Sequence, residues 1–160
     1  MPGMLDKIRL ETAKRPWWIN CLWLFCLYMT FVYMPWDVFW KPYERWEEVW
    51  FGLTIRGWAA KLTEPLHWAI YAAGSYGLWK MKAWLWPWIS IYCAQVAIGM
   101  LVFNITEGPS MGDGRGGGIV AAIPIFLFLT WLTVLLWRSK RLFVEDEVNS
   151  PGDTQLTVEQ

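Results

Sequence analysis

The chain has 160 residues, 56% of them hydrophobic, with 15 tryptophans, a single histidine and a formal net charge of zero. That composition departs from the soluble average, and the absence of a basic surplus removes nucleic acid from the expected partners. Cys21, Cys26 and Cys93 are odd in number and all fall in apolar stretches, so they support neither a disulfide framework nor a CxxC-type metal site.

Charge-free runs occur at residues 16–36, 65–79, 83–106 and 116–137, against the roughly 20 residues that a helix needs to cross hydrocarbon. The expected fold is an all-α integral membrane protein: a four-transmembrane-helix bundle over 16–138, with spans at about 16–36, 64–80, 83–105 and 117–137. The second run is short and needs Thr63 and Glu64 at the interface. Lys7, Arg9, Lys14, Arg15, Lys80, Lys82, Arg138, Lys140 and Arg141 all fall on one side of a four-span arrangement. An excess of Lys and Arg marks the cytoplasmic side, so both termini are expected in the cytoplasm and the chain in the inner membrane.

Residues 1–15 read as a cytoplasmic interfacial segment, with Met4, Leu5, Ile8 and Leu10 set among charges. The first span opens on Trp17-Trp18 and closes on Pro35-Trp36, with no small-residue cleavage site after it, so it reads as an anchor. In the first outer loop Trp36, Phe39, Trp40, Tyr43, Trp46 and Trp50 recur at spacings of three and four, which predicts an amphipathic interfacial helix. The following stretch, 49–58, reads equally as loop or strand-like return.

The second span has a start signal in Thr63, Glu64 and Pro65, and Ala69, Ala73 and Gly77 repeat as a small-residue face for helix packing. Lys80-Met81-Lys82 then makes a tight hairpin into the third span. The glycine-rich segment 104–118 predicts a flexible outer loop, Pro124 predicts a kink in the fourth span, and 139–160 predicts a disordered cytoplasmic tail.

An ionisable side chain at membrane depth is either sheltered or functional, which singles out His67. Counting antiparallel helices about the turn at Met81 places residues whose numbers sum to about 163 at one depth. His67 is then level with Val96 and its neighbour Gln95, and Thr30 falls at the same level. The expected polar layer is Glu64, His67, Gln95 and Thr30, with Tyr71 and Tyr92 below it. Three roles are open for this layer. His67 and Gln95 could align the hairpin by a hydrogen bond; His67 could ligate a tetrapyrrole beside Gly74; or Glu64 and His67 could act as acid and base on a lipid.

No catalytic grouping of the HExxH or Ser/His/Asp kind occurs, no metal set is present in sequence, and no cofactor is specified. Lys41-Pro42 is all the chain shares with the tryptophan-rich sensory proteins, whose Pro-Pro loop it lacks, and a His-Trp pair is all it shares with light-harvesting polypeptides. The functional expectation is therefore a non-catalytic accessory or assembly subunit, with membrane lipids and other membrane subunits as partners. The alternative is a binder of a lipid, quinone or tetrapyrrole at the His67/Gln95 layer, or a small lipid-acting enzyme.

Overall fold

A computed structural model describes residues 3–107 and 117–148. Apart from one hairpin it is helical, in the order α1 (Met4–Ala13), α2 (Trp17–Tyr28), a π-helical turn (Met29–Tyr33), α3 (Met34–Trp40), β1 (Glu47–Trp50), β2 (Leu53–Arg56), α4 (Trp58–Trp79), α5 (Leu85–Thr106), α6 (Gly117–Arg138) and α7 (Lys140–Val148). The segments from α2 through α3 run without a break. Trp17–Trp40 and Leu85–Thr106 are each long and apolar enough to cross a membrane, with mean hydropathies of 1.4 and 1.7.

Helix α4 packs chiefly on α2 and α5 on α6. In the first pair Cys26 Sγ lies 3.5 Å from where a Cβ on Gly74 would sit, and the Phe25 and Tyr71 rings meet edge to face at 6.0 Å. The apolar core gathers at the α4–α5 turn, where Ile19, Leu78, Leu136 and Phe143 are wholly buried and Met81, Leu85 and Ile89 nearly so. Gly77 admits this turn, since a Cβ there would stand 2.8 Å from Leu85 Cδ2. Arg15 seals the end of α4 by donating from Nη1 to Leu78 O at 3.0 Å and from Nη2 to Trp79 O at 2.8 Å, satisfying carbonyls that a helix C-terminus leaves without intrahelical partners. Trp86 Nε1 does the same for Leu136 O and Trp137 O, at 3.1 Å each.

Four expectations are corrected here. The first outer loop forms a 3₁₀ turn (Tyr43–Arg45) and the β1–β2 hairpin, with no interfacial helix. Pro42 is the reason: it holds Lys41 extended, at φ −63° and ψ 125°, so α3 stops at Trp40. Helix α4 begins at Trp58, not near Glu64. Thr63 Oγ1 donates back to Ala60 O at 2.8 Å and caps nothing, while Pro65 lies inside the helix. On the same helix Ala69 and Ala73 are exposed, and Gly77 is packed against Leu85. Within the tail, 140–148 is helical and Phe143 is wholly buried against the core. Residues 104–106 of the expected outer loop are helical and belong to the end of α5; 108–116 of that loop, and 149–160, lie outside the described residues.

Candidate functional site

At the end of the α2/α4 pair away from the core, the hairpin folds over a group of charged side chains. The strands are antiparallel, pairing Glu47 with Arg56 and Trp50 with Leu53, and the two turn residues Phe51 and Gly52 both have positive φ, 53° and 85°. That is the backbone a two-residue hairpin connection requires, because its twist matches the strands. Gly52 also sits against α5: a Cβ there would lie 2.5 Å from Val102 Cβ and 2.7 Å from Gly99 O. The hairpin tip is thereby held to α5 while β1 lies on α4.

Residues two apart on a strand share a face, so Glu48 and Trp50 both reach α4. Glu48 Oε2 is 2.9 Å from His67 Nδ1, and the Trp50 ring stacks flat on the imidazole at 4.1 Å and 6°. A carboxylate at Nδ1 selects the tautomer with the proton there, which leaves Nε2 as an acceptor.

Two further acids complete the group. Asp37 is 1% exposed and its Oδ1 lies 2.8 Å from Lys41 Nζ; Glu64 is fully buried and its Oε2 lies 2.7 Å from Lys61 Nζ. Lys61 Nζ also donates to Asp37 O at 2.9 Å and Lys41 Nζ to Glu47 O at 3.1 Å, so each lysine ties two elements together. For Lys41, burial pulls the pKa down as the largest single effect. The hydrogen bond to Asp37 and the charges of Asp37, Glu48 and Glu64 together outweigh it, and the net shift is upward.

Ligand atoms of Asp37, Glu48 and Glu64 lie within 4.8 Å of one another, close enough in principle for a cation. Two ammonium groups already stand on two of these acids and an imidazole N–H on the third, so each acid already has a partner within the chain.

A cavity of about 260 Å³ opens beside this group. Met29, Met34 and Val49 form its apolar side, Lys41, Glu47, Glu48 and His67 its polar side, and Tyr33 and Tyr71 its aromatic wall. The π-helical turn supplies Met29 and Tyr33. Such a turn frees backbone carbonyls, and Trp68 Nε1 donates to Thr30 O at 2.8 Å.

The residues singled out from sequence are only partly brought together. His67 meets Glu48, and no hydrogen bond joins it to Gln95 or Glu64 among the described residues. Thr30 Oγ1 turns back to Cys26 O at 2.7 Å. Tyr71 and Tyr92 bring their hydroxyls to 3.4 Å. Asp37, Lys41, Glu48 and Lys61 were not among the expected site residues. Their legible signals were the i, i+4 spacing of Asp37 and Lys41, the i, i+3 spacing of Lys61 and Glu64, and the alternation of EEVW and LTIR about Phe-Gly. No protein-family model, curated protein or solved structure matches the chain.

Proposed function

We propose that this chain is a four-span protein of the inner membrane, with both termini in the cytoplasm, that holds the polar head of a membrane-soluble amphiphile in the His67 cavity. The observation that carries this reading is a cavity of about 260 Å³ with an apolar side and a charged, partly buried side at one end of a membrane-length helix. Small-molecule sites combine an apolar wall with a few placed polar groups in this way. The membrane setting rests on the apolar surface: Phe31, Ile98, Leu127 and Phe128 are all more than half exposed along helices that could pass through lipid.

The chemistry that His67 can do narrows the ligand. Trp50 covers one face of the ring, and Cys26 of α2 stands beside Gly74, where a tetrapyrrole ring was expected to find room. Glu64 is ion-paired with Lys61 and does not reach His67, so the acid–base pair expected from sequence has no geometric support. These contacts favour a lipid or a quinone over a tetrapyrrole. Organic extraction of the protein purified in native nanodiscs should release one amphiphile in near-stoichiometric amount, lost on Met34→Trp. An extract matching bulk lipid for both proteins would contradict the reading.

A second reading, the accessory or assembly subunit, is supported by the outward stripe of α4. Leu62, Leu66, Ala69, Ala73 and Tyr76 follow one another along one face and all are exposed, with the small residues at its centre. Mild-detergent purification should then give a larger complex, and a particle of the chain alone would count against it.

A further inference from the structure

We propose that the head group taken by the His67 cavity is uncharged and offers a hydroxyl, whose O–H donates to His67 Nε2. The inference rests on the ligand-cavity reading above and specifies its chemistry.

Every charged group on the cavity wall already has a partner. Lys41 stands on Asp37 at 2.8 Å, Glu47 on Arg56 at 3.1 Å, and Glu48 on His67 at 2.9 Å. Behind the wall Glu64 stands on Lys61 at 2.7 Å. A phosphate or carboxylate head would meet Glu47 and Glu48, while the lining ammonium, Lys41, is already held by Asp37 and by Glu47 O, and desolvating a poorly paired charge is strongly unfavourable. An ammonium head could reach Glu48 only in competition with His67 Nδ1–H, and Asp37 only in competition with Lys41.

What the wall leaves open is neutral. His67 Nε2 makes no hydrogen bond among the described residues, and with Nδ1–H turned to Glu48 it is a lone-pair acceptor. The Tyr33 hydroxyl likewise makes no hydrogen bond among the described residues and lines the same cavity, where it can donate to a second oxygen. Trp50 stacked on the imidazole and Glu48 at Nδ1 together hold the ring, so the acceptor is fixed in place before a ligand arrives. Met29, Met34 and Val49 supply the apolar wall for the remainder of the head. An alcohol or phenol with a neighbouring oxygen on an apolar tail meets these requirements. In a membrane it has two sources, a quinol or a diacylglycerol.

The test is calorimetry on the full chain in detergent, under argon, with a short-tailed p-benzoquinol and its di-O-methyl ether, dioctanoylglycerol and its O-methyl ether, a short-chain phosphatidylglycerol and an alkylammonium. At least one of the two hydroxyl compounds should bind about tenfold tighter than its ether, the factor that about 1.4 kcal/mol represents. Whichever hydroxyl compound binds more tightly identifies the source. In Glu48→Gln the amide can donate to Nδ1 and move the proton to Nε2, so the hydroxyl-over-ether preference should shrink or reverse. A merely structural loss would weaken both members of each pair alike. Ethers binding as tightly as hydroxyl compounds in the wild type, or tighter binding of the phosphatidylglycerol or ammonium, would overturn the hydroxyl inference and leave the cavity reading intact. Binding of none of the probes would overturn both.

Discussion

The two ends of the helix array use similar residues to opposite effect. At the α4–α5 turn, polar groups terminate helices: Arg15 takes two carbonyls of α4, Trp86 takes two of α6, and Ile19, Leu78, Leu136 and Phe143 close the space between them. At the hairpin end, polar groups pair side chain to side chain, as Asp37 with Lys41, Glu64 with Lys61 and Glu48 with His67, and a cavity is left beside them. Backbone carbonyls need partners wherever a helix ends, so the first arrangement is required by the fold. Helix termination does not require the second, and it gives up packing. Function is therefore sought where packing was relinquished.

This contrast can be broken from either side. The largest effect is expected from Phe143→Ala, which empties a fully buried site in the sealed end and should lower stability by about 3–5 kcal/mol in thermal unfolding in detergent. Arg15→Met removes two charge-assisted bonds to carbonyls and should lower it by about 1.5–3 kcal/mol. Ligand binding per folded molecule should survive both changes. Gly52→Ala acts on the open end, because the new Cβ meets Val102 and Gly99 at a positive φ. A destabilisation of about 1–3 kcal/mol is expected, accompanied by altered near-ultraviolet dichroism as Trp50 leaves His67. Smallest is Glu47→Gln: its pair with Arg56 is exposed, and loss of the pair should shift stability by less than about 1 kcal/mol.

The long apolar helices were legible because a charge-free run of sufficient length has few other uses. Counting about Met81 also places Tyr71 opposite Tyr92, whose hydroxyls do meet. The face presented by His67 was not legible. Depth follows from residue number alone, but rotation depends on which helix packs on which, and α4 turned to α2 and the hairpin instead of pairing closely with α5. The hairpin was hidden by aromatic spacing, since Trp46 and Trp50 lie four apart and mimic a helix face that Pro42 prevents. Glu48 could not be linked to His67 without that hairpin.

The most direct measurement is the sidedness of the two ends. Cysteines introduced singly by Glu44→Cys, beside the hairpin, and Lys80→Cys, at the sealed turn, are exposed positions for a membrane-impermeant maleimide. In intact spheroplasts, with labelling of the parent protein subtracted, Glu44→Cys should react and Lys80→Cys should react only after lysis. Labelling of both positions from one side, or of Lys80→Cys alone in intact cells, would contradict a charged cavity on the outer face and a sealed end in the cytoplasm.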